Sequence, residues 1–116
     1  MKKLFTALIF TLATTVWAGD FEDGLAAYNK GDFTTAASLL QTVAEEGFST
    51  AQVILALMYE KGKGVPQDSA EAVHWYKLAA EQGNKSAQYN LEVMYYSSEE
   101  VLQDYLQAHM RINLIH

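Results

Sequence analysis

The stretch that decides the fold runs from Ala51 to Gly83, AQVILALMYEKGKGVPQDSAEAVHWYKLAAEQG. Two runs with apolar residues at helical spacing flank a short segment holding two glycines and the chain's single proline. Gly62 and Gly64 can adopt positive φ at no steric cost, which lets the chain turn sharply before Pro66 and Asp68 restart a helix. The stretch therefore predicts helix, tight loop, helix.

The same unit occurs again 36 residues on. Aligning Ala51 to Ala80 with Ala87 to His116 gives ten identities: Ala51/Ala87, Gln52/Gln88, Leu55/Leu91, Met58/Met94, Tyr59/Tyr95, Val65/Val101, Gln67/Gln103, Asp68/Asp104, Ala72/Ala108 and Leu78/Leu114. Chance composition would give about two. The shift also carries Ala36, Ala44, Glu45 and Gly47 onto Ala72, Ala80, Glu81 and Gly83, so there are between two and a half and three copies. Helix pairs are predicted over 21–29 and 33–46, 50–61 and 69–82, and 86–97 and 105–114. Capping boxes fit at Ser49 with Gln52, Asp68 with Glu71, and Asp104 with Gln107, and glycines close helices at Gly47 and Gly83. No strand is needed. Val65 and Val101 read as apolar plugs in loops.

The second unit strongly resembles a Sel1-like repeat, a relative of the tetratricopeptide repeat. The matching positions are Ala51, Leu55, Ala56, Tyr59, Gly62, Gly64, Val65, Asp68, Ala72, Trp75, Tyr76, Ala79, Ala80 and Gly83. Gly24 to Ala44 resembles a tetratricopeptide unit, through Tyr28, Gly31, Phe33, Ala36 and Leu40. The resemblance implies an all-α chain, an alpha-alpha superhelix or solenoid. Its parts are a tetratricopeptide-like unit over about 19–49, a Sel1-like repeat over 50–85 and a degenerate or truncated one over 86–116. Physically, Ala56, Ala72, Ala79 and Ala80 are small where helices must pass closely, while Leu55, Met58, Trp75 and Leu78 fill the space between. Each unit alone leaves an apolar face bare, and stacking buries it.

The third unit departs from this pattern. Ser97-Ser98-Glu99-Glu100 replaces Lys61-Gly62-Lys63-Gly64, Glu92 replaces Ala56, and Arg111-Ile112 replaces Trp75-Tyr76. A terminal cap and a decayed repeat are both consistent with these changes. If the unit packs like the second, the Glu92 carboxylate is pressed against a neighbouring helix, and its removal stabilises the protein. Loss of the packing Trp also predicts limited stability or self-association through the C-terminal face.

Composition narrows the function. Half of the 116 residues are hydrophobic, 19% are charged, and there is no Cys. Disulfide scaffolds and Cys-based metal sites are excluded, and a net charge of -6 opposes nucleic-acid binding. Met1-Lys2-Lys3 followed by the apolar run from Leu4 to Val16 reads as a signal peptide over 1–18, with Val16-Trp17-Ala18 as the processing site. The expected product is an acidic protein, periplasmic or secreted, with no membrane span after that segment is removed. No constellation for catalysis, cofactor or metal stands out. His74 and His109 lack companions at ligand spacing, Ser38 and Ser69 lack a base at motif spacing, and Glu45-Glu46 and Glu99-Glu100 read as solvated ends.

Seven tyrosines carry the binding signal. Tyr95 matches Tyr59 and is expected in the core. Tyr96 matches the polar Glu60, so Tyr89 and Tyr96 are the candidate anchors for a protein partner. The expected function is a non-catalytic adaptor in the bacterial cell envelope. The alternatives are a weak hydrolase of cell-wall or beta-lactam-like substrates, and a truncated paralogue without a binding role of its own. The exported protein should begin at Gly19; an intact-mass measurement checks this, and a species retaining Met1 in the membrane fraction would overturn it.

Overall fold

The computed structural model describes residues 18–115; beyond Ser98 it describes side chains only at Gln103, Leu106 and Gln107. The expected leader, apart from Ala18, lies outside these residues. Among them the chain is all helix, with α1 over 18–29, α2 Phe33–Glu45, α3 Ser49–Lys61, α4 Ser69–Glu81 and α5 Lys85–Ile115. Each helix packs on its sequence neighbour. α2 lies against α3, α3 against α4 and α4 against α5, the short-range stacking of a solenoid.

Local chemistry sets the helix ends. Asp32 accepts from the Thr35 amide at 3.3 Å, and Asp68 accepts from the Ala70 and Glu71 amides at 3.0 and 3.2 Å, which satisfies donors that the first turns leave free. The Asp68 amide itself donates to the Tyr59 carbonyl at 2.9 Å, tying the loop back to α3. Gly47 and Gly83, at φ of 100° and 89°, close α2 and α4. Their own amides donate to Ala44 and Ala80, while the amides of Phe48 and Asn84 reach Val43 and Ala79.

Two expected capping boxes do not form. Phe48 holds the cap position of α3, and Ser49 lies inside the helix, where its hydroxyl accepts from the Asn84 side chain at 3.3 Å. Asp104 with Gln107 falls in the interior of α5, because the third helix pair is one unbroken helix of 31 residues. The cause is in the residues between its halves. Ser98 and Glu100 stand where the second unit has glycines, and Leu102 stands where it has Pro66. A left-handed turn at Ser98 or Glu100 would cost about 1–2 kcal/mol per residue, whereas helix continues without that penalty.

The core runs along the α2–α3–α4 seam. Leu40, Leu55, Met58 and Tyr76 are its large, fully enclosed side chains, and Ala51, Ala56, Ala72 and Ala79 are buried where helices approach. Met58 and Leu55 thus repeat on α3 the packing that Leu91 and Met94 begin on α5. Leu55, Ala56, Ala72, Trp75, Tyr76 and Ala79 are all buried.

The loop between α3 and α4 is held from two sides. Gly62 and Gly64 have φ of 69° and 74°, and Lys63 sets its ammonium 5.1 Å from the Phe33 ring centre. Gly64 lies directly on the Phe33 backbone, and a Cβ there would overlap the Phe33 carbonyl. Gly31 has a similar φ of 83° but open space around it. Gly31→Ala should therefore cost about 1 kcal/mol of backbone strain, and Gly64→Ala about 3 kcal/mol, because strain and collision combine. Urea denaturation checks the order; equal midpoints would show that the loop does not depend on that close approach.

Candidate functional site

The second unit shows how a complete helix pair closes. Across the α3–α4 interface the Tyr76 hydroxyl donates to Glu60 Oε2 at 2.8 Å, and the Gln82 amide donates to Gln52 Oε1 at 3.0 Å. Tyr76 has no exposed surface, and burial followed by the Glu60 hydrogen bond and charge pushes its phenol well above the usual tyrosine range. Tyr59 is pushed up too, by desolvation first and then by the Glu71 and Asp68 carboxylates of the α4 start. Both tyrosines are held neutral by the closed pair.

A second interaction repeats between units. Buried Gln52 donates to the Ala44 carbonyl at 3.0 Å, and 36 residues on Gln88 donates to the Ala80 carbonyl at 3.2 Å. Each glutamine adds a side-chain donor to a last-turn carbonyl of the preceding helix that also takes the amide of the closing glycine, Gly47 or Gly83. Sequence reasoning missed this clamp, although the Gln52/Gln88 identity was its signal.

Among the described residues α5 makes the contact with the preceding helix and none with a following one. Ala87 is as buried as Ala51, with no exposed surface at either. On the other side the two units diverge: Val53 is 8% exposed and Tyr89 67%. Ala56 is fully buried, and its counterpart Glu92 is exposed. The expectation that Glu92 is pressed against a helix is overturned, because no helix covers that side of α5 among the described residues. Tyr95 was expected in the core and is 43% exposed for the same reason. Tyr96 is 69% exposed, and Val93 45%. Tyr89, Val93 and Tyr96 follow the i, i+4, i+7 spacing of one helix face.

Beside this face lies a groove of about 680 Å³, walled by Glu60, Gln67, Ser69, Ala70 and Val73 on one side and by Val93 to Tyr95, Ser97 and Ser98 on the other. Its position has a counterpart one unit earlier. Ser69 corresponds to Phe33 and Ser98 to Gly62, so the groove is the place where a Gly-x-Gly loop would sit as Gly62 to Gly64 sits on Phe33. A smaller hollow of about 480 Å³ between α2, α3 and α4 is bordered by Gln52, Trp75, Leu78 and Gln82. Trp75 is 6% exposed, and its buried indole N–H has no hydrogen-bond partner.

Among the described residues no group of three His, Asp or Glu side chains is placed to hold a metal ion, and no helix is long and apolar enough to cross a membrane. His74 sits on the exposed rim of α4, its ring edge-on to Trp75 at 5.0 Å.

The profile of the Sel1 repeat matches residues 49–84 and 85–110. The chain belongs to the Sel1 repeat family. The boundary falls one residue before that read from the sequence. Repeats of this family generally mediate protein–protein interactions and are generally not catalytic. Among solved structures, the chain is similar to c5321, a protective antigen of uropathogenic Escherichia coli displaying an SLR fold, with 41% identity and a TM-score of 0.65 over 71% of this chain and 18% of that one. It is also similar to a Sel1 repeat protein from Oxalobacter formigenes, with 36% identity and a TM-score of 0.62 over 66% of this chain and 60% of that one. A segment of 43 residues, 37% of the chain, is 48% identical to DAP3-binding cell death enhancer 1 of Rattus norvegicus and spans 8% of that protein.

The neutral tyrosines have a measurable consequence. Because folding raises the Tyr76 and Tyr59 values above the unfolded value of about 10, their contribution is complete below that pH and is lost as pH rises beyond it. Tyr76→Phe should lose about 1 kcal/mol at pH 7 with the hydrogen bond to Glu60, yet show a shallower fall in stability above pH 10 than the natural protein. Chemical denaturation at pH 7 and pH 10.5 checks this; parallel losses in both proteins would show that Tyr76 ionises freely in the fold.

Proposed function

We propose that the protein is a non-catalytic protein–protein interaction scaffold of the bacterial cell envelope, and that the uncovered face of α5 is where it binds. The observation that carries this is the exposure of Tyr89, Val93 and Tyr96, at 67%, 45% and 69%, on one side of a helix whose other side is packed on α4. Large aromatic side chains left in water at helical spacing are the usual anchors of protein recognition: wide apolar area, few rotatable bonds and a hydroxyl for the rim. Family membership supports the adaptor class. The basic start and apolar run of residues 1–16 support the envelope as the compartment.

Fractionation of cells should find the protein in the periplasm. Tyr89→Ala together with Tyr96→Ala should weaken association with a protein partner by at least about tenfold, with the melting midpoint unchanged because both rings are exposed. A double variant that associates as well as the natural protein would overturn the reading.

A further inference from the structure

The groove between Ser69 and Ser98 has an occupied counterpart within the same chain. One unit earlier the corresponding place, at the start of α2 beside α3, is filled by the turn Gly62-Lys63-Gly64. Gly64 lies there on the Phe33 backbone with no room for a Cβ. Lys63 holds its ammonium 5.1 Å from the Phe33 ring centre and 6.0 Å from that of Tyr28. In the third unit the chain runs on as helix through Ser98, and the place is left as an opening of about 680 Å³. The walls that seat a glycine-flanked lysine turn are repeated, and the turn is not.

One wall has changed, in a way that keeps the preference for a cation. Ser69 stands in place of Phe33, so the ring that faces Lys63 has no counterpart. Glu60 is instead the one charged side chain that lines the groove. It is half-buried, and its Oε2 is fixed by the buried Tyr76 hydroxyl at 2.8 Å, while among the described residues its Oε1 takes no hydrogen bond. The Gln67 side chain donates to the Glu60 carbonyl at 3.0 Å, so this polar wall is set before anything binds. Asp68 and Glu71, at the head of α4, add to the negative field, and it is their charges that help push the Tyr59 phenol up. Val73 and Met94 offer half-buried apolar surface of the kind on which a lysine stem lies.

We propose that this groove docks a glycine-flanked lysine turn of a partner protein. The glycine crosses the Ser69 backbone as Gly64 crosses that of Phe33, the lysine stem lies on Val73 and Met94, and the ammonium meets Glu60. A second copy of this chain does not supply the turn, because its own is already seated on Phe33. The groove is also distinct from the tyrosine face. Met94 and Ser98 each stand two residues from Tyr96, about 200° round the helix, so they look away from Tyr89 and Tyr96.

The probe is the acetylated and amidated peptide of residues 62–66, GKGVP. It is titrated into the natural chain, expressed with its own N-terminal segment, isotope-labelled and followed by amide chemical shifts. Saturable shifts at Ser69, Ala70, Met94 and Ser98 are expected. The same peptide carrying Lys63→Glu or Gly64→Ala should bind at least about fivefold more weakly. Glu60→Gln in the protein, which keeps an acceptor for Tyr76, should weaken the natural peptide by a similar factor. Ser98→Arg, at an exposed position, sets a fixed cation at the groove and should abolish the shifts with the melting midpoint unchanged. If Glu60→Gln does not fold, the peptide series on the natural protein decides. No saturable shift at millimolar peptide, shifts at Tyr89 and Tyr96 instead, or equal affinity for the Lys63→Glu peptide overturns the assignment. So does a dimer in light scattering that Ser98→Arg dissolves, since a second copy then fills the groove. Failure here is separable from failure of the scaffold reading: a chain that associates with another protein through Tyr89 and Tyr96 but ignores the peptide refutes the groove alone.

Discussion

Everything in this molecule turns on whether the backbone can take positive φ between two helices. At Gly62 and Gly64 it can, and there the chain doubles back and lays Gly64 on the Phe33 carbonyl so closely that no side chain fits. That contact locks the loop of the second unit to the start of α2, the second helix of the pair before it, and the position of α4 follows. Where serine and glutamate stand at the matching positions, the same sequence pattern on either side yields one helix. Helix pairing is therefore decided by a few loop atoms, while the helices themselves would form in either case.

Once a pair is closed, its interior is held by polar groups as much as by apolar ones. Gln52 is 3% exposed and uses both ends of its amide, donating to Ala44 and accepting from Gln82. A buried amide left half satisfied would cost about 1–3 kcal/mol, so the glutamine specifies how far α2 and α4 may slide along α3. Gln88 performs the first half of this task between α4 and α5. Among the described residues no α4-like helix answers its other half, and Gln88 is exposed.

Much of this was legible in the sequence, and the misses share one source. The first four helix spans, the left-handed glycines and the buried Ala56, Ala72 and Tyr76 follow from periodicity and loop chemistry within a unit. The capping box at Ser49 failed because the serine hydroxyl accepts instead from Asn84, 35 residues away, an interaction that no local pattern encodes. The third helix pair failed for a different reason. The identities Val65/Val101, Gln67/Gln103 and Asp68/Asp104 argued for a copy of the turn, yet the residues that make the turn, the glycines and the proline between them, were the ones replaced. Identity at packing positions outvoted conformation at hinge positions. Tyr95 and Glu92 were then misplaced as a consequence, since their burial needs the helix that the turn would have returned. The exposed tyrosines were found by a comparison of Tyr96 with Glu60 that stays valid whether or not the pair closes.

The two unusual properties of the third unit are therefore one property. The loss of the turn uncovers the side of α5 that carries Glu92, Tyr95 and Tyr96, and it extends past α4 the segment whose sequence would have covered that side. A decayed repeat would be expected to lose the packing pattern along with the turn, because nothing would then maintain either. Here Ala108, Ile112 and Ile115 still present small and apolar residues at three of the four positions that α4 buries. Pattern and turn have thus separated in the third unit: the residue types that α4 buries are kept at three of four positions, and the glycines and proline that would fold them back onto α5 are not.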